Sequence, residues 1–137
     1  MARSALFQKA MAAIRAVRPW RTTAAEIAAD NNDIGEIFLR RVRAEQRLGN
    51  AEKEHEFTRS AIAHFVDIVD SGDIQSPEVR PYIEVAYDTV TDLMLRVKEY
   101  DDVRKYVQQY GTVFPNGRYA TDMRSRLNQA MIHIQNQ

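Results

Sequence analysis

The sequence predicts an all-α chain of antiparallel helical hairpins. Two observations carry that prediction. Apolar residues recur at intervals of three and four along nearly every segment, the period of a helix that buries one face. Glycine and proline are scarce, at 5 and 4, and they stand where that period breaks, as helix punctuation does. A chain of 137 residues with 45% hydrophobic content suits a single domain around one core.

The first helix is expected in SALFQKAMAAIRAV, where Leu6, Phe7, Ala10, Met11, Ile14 and Val17 form one stripe. Pro19 ends it, because the residue before a proline is driven out of the helical region. Thr23 suits the N-cap of a short helix through AAEIAAD, with Asn31 to Asp33 as a polar joint after it. A longer helix follows in IGEIFLRRVRAEQRLG, with Ile37, Phe38, Val42 and Leu48 on its apolar side and Gly49 as a left-handed terminus. Its partner runs from about Ala51 to Val69 on Phe57, Ala61, Ile62, Phe65, Ile68 and Val69.

In DSGDIQSPEV, Gly72 suits a C-terminal position, Ser76 an N-cap and Pro77 a first turn. Pro81 would delete a bond deeper inside a helix, so the regular helix is expected to begin nearer Pro81. Ile83, Ala86, Tyr87, Val90, Met94 and Val97 then mark a helix from Tyr82 to Val97, and Glu99 to Asp101 a short turn. Val103, Tyr106, Val107, Tyr110 and Val113 mark the next helix. After FPNG the last one carries Tyr119, Met123, Leu127, Ala130 and Ile134, with a polar far side of Arg124, Asn128, Gln129 and His133. The expected organisation is N-terminal helices over 1–32, a first hairpin over 33–75, a second over 76–117 and a capping helix over 118–137.

Composition excludes several function classes. Lysine plus arginine equals aspartate plus glutamate at 19 each, so no bulk field recruits nucleic acid or anionic membrane. The absence of cysteine removes disulfides, thiolate zinc sites and cysteine nucleophiles, and suits cytoplasm or periplasm alike. The apolar run Ala10 to Ile14 is too short for a signal peptide or a spanning helix, so the chain reads as soluble with no transmembrane segment.

The segment YDDVRKYVQQYGTVFPNGRYATD, from Tyr100, closes two helices with a proline. A period of about 34 residues, two helices long and ended by proline, marks tetratricopeptide repeats. With Pro115 at the final proline, Tyr87 takes the large aromatic position, Val90 the leucine, Tyr100 the turn tyrosine and Val107 the second aromatic. The window from about Glu84 to Ala120 thus resembles the tetratricopeptide-repeat family, in the form found in bacterial envelope proteins, where a tyrosine-rich helix ends in Phe-Pro-Asn-Ser and then Tyr-Ala. It departs at the small positions: Val103 and Tyr110 stand for alanines, Thr91 for glycine, Gly117 for the serine and Met123 for an alanine. From Ile37 to Val69 a fainter version rests on Phe38, Leu48 and Gly49, with Glu54 at a small-residue position. The resemblance implies a short solenoid in which Pro115 ends one hairpin and Asn116 caps the helix stacked upon it.

It also implies a concave groove lined by the first helix of the repeat, through Val85, Asp88, Asp92, Leu95 and Arg96. Branches of the family that grip a C-terminal carboxylate carry lysine and asparagine there. Asp88 and Asp92 lie one turn apart and would repel an acidic tail, so a basic or amphipathic segment is the expected partner. The alternative is a merely solvated face. Arg40, Arg41, Arg43 and Arg47 form the densest basic cluster but spread over more than one helix face, with Glu45 and Glu52 near enough to pair with some. Phosphate binding needs converging cations, so nucleic acid is not expected, while Arg43 and Arg47 offer a charged rim.

Glu52 and His55 make one Glu-x-x-His pair, half of a di-iron arrangement; the chain has no second, so no metal is expected. His64, within an apolar run, reads as a hydrogen-bonded residue, and His133 as terminal. No nucleophile, base and orienting group share a readable spacing, and no glycine-rich phosphate loop exists. No catalytic residue and no cofactor are assigned. Before Glu26 the chain is basic, through Arg3, Lys9, Arg15, Arg18 and Arg21, which suits a first helix packed on the repeats, a membrane-surface helix or a transit peptide. Trp20 could anchor any of these.

The expected function is non-catalytic: a scaffold that holds a peptide or helix of a protein partner, on the cytoplasmic or periplasmic side of a bacterial envelope assembly. The alternatives are a self-associating structural component and, third, an enzyme with a hidden site.

Overall fold

The structure is a computed structural model that describes Lys9 and residues 23–136. Apart from Lys9, the expected helix over Ser4 to Val17, its stop at Pro19 and the anchor Trp20 lie outside the described residues. Among the described residues there are five helices and no strand: α1 (Ala24–Leu48), α2 (Ala51–Ser71), α3 (Arg80–Arg96), α4 (Tyr100–Val113) and α5 (Ala120–Gln135). The chain is all-α. It divides into two compact units, one running through Ile83 and one beginning at Glu84.

In the first unit α1 and α2 form an antiparallel hairpin joined by two residues. Thr23 is the N-cap of α1 and completes a reciprocal capping box, its hydroxyl accepting from the Glu26 amide while the Glu26 carboxylate accepts from the Thr23 amide. Gly49 closes α1 at φ 70°, a left-handed conformation that glycine adopts without steric cost. Asn50 then caps α2 through the Lys53 amide.

The polar joint expected at Asn31 to Asp33 is corrected. α1 runs through it unbroken for 25 residues. Asparagine and aspartate each cost a helix only a few tenths of a kcal/mol, and burial on both sides of the joint outweighs that. Ala28, Ile34, Phe38 and Val42 are all buried. At Gly35 a β-carbon would strike the Phe65 ring and come within 3.2 Å of His64 Cδ2, so the missing side chain is what lets α2 approach the α1 backbone. One turn earlier the buried imidazole of His64 hydrogen-bonds through Nε2 to the Asn31 carbonyl. The core around this contact comprises Phe57, Ala61, Ile62, Phe65, Ile68 and Val69 from α2, the residues the periodicity selects.

Regular helix resumes at Arg80, so Pro81 falls in the first turn, where its missing N–H removes no helical bond. In the second unit α3, α4 and α5 alternate in direction. Ala86, Tyr87, Val90 and Met94 from α3, Val103, Tyr106, Val107 and Tyr110 from α4, Phe114, and Met123 and Ala130 from α5 are buried. Tyr87 gathers three rings, Tyr106 at 6.4 Å, Tyr110 at 5.7 Å and Phe114 at 6.1 Å between centroids, and the last two meet it edge-on, the geometry aromatic quadrupoles prefer. The outer side of α5, with Arg124, Asn128, Gln129 and His133, is exposed.

Candidate functional site

The break at FPNG is held from outside the loop. Phe114 ends α4 as a buried residue. The Tyr110 hydroxyl donates to Glu84 Oε2 at 2.8 Å and accepts the Tyr119 amide at 2.9 Å, and the same Glu84 oxygen accepts the Arg118 amide at 3.1 Å. The expected cap by Asn116 is corrected here. α5 begins at Ala120 with no side-chain cap, because the free amides ahead of it are taken by a carboxylate of α3 and a phenol of α4. Burial, with the neighbouring Glu84 charge, pushes the Tyr110 phenol up to about 12.

Gly117 belongs to the same arrangement. A β-carbon there would collide with the Tyr110 hydroxyl and stand 2.6 Å from its Cζ and 2.9 Å from Glu84 Oε2. Tyrosine at 110 and glycine at 117 are therefore fitted to each other. Thr91 and Met123 meet as well, with Oγ1 3.5 Å from Sδ.

The residues expected to line a groove lie on α3, with Val85, Asp88, Asp92 and Leu95 half-buried and Arg96 exposed. Asp88 is engaged. Arg126 of α5 reaches its carboxylate at 2.7 Å and its backbone carbonyl at 2.9 Å, and also donates to the Thr91 hydroxyl at 3.1 Å. With Arg126 at 16% and Asp88 at 27% side-chain exposure, this pair acts as a strut between two helices. Asp92 pairs with Arg96 one turn on, at 3.1 Å. The face is charge-balanced where the sequence suggested a bare acidic pair. Spacing within α3 could not reveal this, since the cation for Asp88 comes from 38 residues away.

Arg43 and Arg47 are exposed on α1. Arg41 leaves the cluster to lie over the Phe57 ring at 5.2 Å. Neither Glu45 nor Glu52 pairs with Arg40, Arg43 or Arg47; Gln46 instead binds Glu54 at 2.9 Å. Glu52 and His55 are exposed near the start of α2, and among the described residues no group of three or more potential ligands could hold a metal ion. No described helix is long and apolar enough to cross a membrane. On α4 a shallow hollow of about 590 Å³ is bordered by Tyr87, Asp101, Arg104, Lys105 and Gln108, with Asp101 and Arg104 paired at 3.4 Å.

Compared with known proteins, the chain matches no protein-family model, no curated protein and no solved structure.

Proposed function

We propose that the chain is a non-catalytic interaction module, a short tetratricopeptide-like stack whose helix α3 holds an amphipathic peptide or helix of a protein partner. The supporting observation is the state of α3 between Glu84 and Leu95. Every residue there is buried or half-buried, and the half-buried set Val85, Asp92 and Leu95 shares a face about 15 Å long. Two partly covered apolar side chains with a balanced ion pair beside them fit a partner that is itself amphipathic. The lock at Glu84, Tyr110 and Gly117, and the strut from Arg126, hold that face before a partner arrives, which lowers the ordering cost of binding. Arg96, exposed one turn after Asp92, supplies a charged margin that steers orientation.

The test is a pull-down from cell extract with the intact chain beside a variant carrying Asp92→Arg and Leu95→Asp, both checked for equal helicity. Asp88 is left intact because its replacement would break the strut. A protein recovered by the intact chain and lost by the variant supports the reading. Equal recovery contradicts it.

Self-association is the second reading, favoured by Ile132, which is 59% exposed on α5. Concentration-dependent size in light scattering that Ile132→Glu abolishes would support it; a monomer at all concentrations would end it.

A further inference from the structure

Three arginines of α1 have a property that their neighbours lack. Arg40, Arg43 and Arg47 are exposed, and among the described residues none has an ion-pair or hydrogen-bond partner. Their spacing of three and then four places them within about 60° of one another around the helix, along about 10 Å of its axis. Arg41, the one that points elsewhere, is occupied by Phe57. Beside the row stand two uncovered apolar residues, Ile37 at 48% and Leu48 at 77% exposure. The row ends in an acid, the exposed Glu36 one turn before Arg40.

We infer that this face of α1 is a docking surface for an acidic amphipathic helix of another protein, one that sets three carboxylates at matching spacing against Arg40, Arg43 and Arg47 and apolar residues against Ile37 and Leu48. The inference is independent of the reading of α3, since it concerns the other unit. Guanidinium groups bind carboxylates through paired N–H donors, and three unpaired ones in a row offer a helix two turns of such contacts. A nucleic-acid backbone is a poorer fit, because the exposed Ile37 and Leu48 beside the arginines give it no apolar contact. A second copy fits poorly too. An antiparallel two-fold pairing that sets Glu36 against Arg47 necessarily sets Arg40 against Arg43, cation on cation.

The probe is a labelled alanine-rich helical peptide with glutamates at i, i+3 and i+7 and flanking leucines, beside a copy with glutamines. Fluorescence anisotropy reads binding to the full chain at low and high salt. The expected result is binding of the glutamate peptide that weakens at least about tenfold with the glutamine copy, at high salt, and with Arg40→Gln, Arg43→Gln and Arg47→Gln combined. Ile37→Ser is expected to weaken binding while leaving the salt dependence unchanged. Far-UV circular dichroism shows that the variants keep their helices. The inference is overturned if the glutamate peptide does not bind, if the triple variant binds it equally, or if a labelled oligonucleotide binds the same face more tightly.

Discussion

A tyrosine at position 110 does the work that helix caps usually do locally. Its hydroxyl joins Glu84 to the Tyr119 amide inside the fold, so Tyr110→Phe leaves both partners short of a bond and is expected to cost about 1–3 kcal/mol in denaturant unfolding. The group also links stability to pH. The folded chain holds the phenolic proton up to about 12, against an ordinary value of 10.0. Its stabilising effect is therefore whole below pH 10 and disappears between 10 and 12, as the unfolded chain ionises first. The stability gap between the intact protein and Tyr110→Phe should accordingly narrow across that window, and a gap constant through it would contradict the assignment. Gly117→Ala should cost about 1–3 kcal/mol by overpacking, and less in the Tyr110→Phe background, with a coupling of about 0.5 kcal/mol or more in a double-mutant cycle. Additive losses would mean that the two residues do not share a contact.

Among the elements, helix existence was legible and some boundaries were not. Thr23, Gly49 and the start of α3 near Pro81 could be found because capping and proline chemistry are local. The break at Asn31 to Asp33 could not be judged, because what carries α1 through it is packing on α2, centred on the bare backbone of Gly35. Asn116 misled for the same reason, since its task falls to Glu84 and Tyr110, far off in sequence. Asp88 was placed on the correct helix, but its partner Arg126 was invisible to a search by helical spacing. At the joint between α3 and α4, Lys98 sits at φ 65°, a region costly for a residue with a β-carbon. Lys98→Gly is thus expected to stabilise the chain by about 0.5–1 kcal/mol in chemical denaturation; a loss of stability would show that the lysine side chain contributes something its backbone strain does not offset. Arg126→Met should cost about 1–2 kcal/mol, discounted for the partial exposure of the pair, with helicity kept.

For the whole molecule, balanced charge and a pair of compact units leave recognition to local faces. Val85, Asp88, Asp92, Leu95 and Arg96 fall on one side of α3, which their helical spacing made legible; that Asp88 is a strut, tied to Arg126, was not. The charge pattern of α1 lay in plain sight as Arg40, Arg43 and Arg47, yet only the structure shows those three without a partner among the described residues and Arg41 diverted. The most direct test of the interaction-module reading is a photocrosslinking residue placed at Leu95 of the intact chain and irradiated in cell extract, with the same residue at Arg124 on the outer side of α5 as control. The expected result is one protein crosslinked at position 95, mapped by mass spectrometry to an amphipathic segment of that protein and absent at position 124. Equal labelling at both positions, or crosslinks only between copies of the chain, would contradict a partner held on α3.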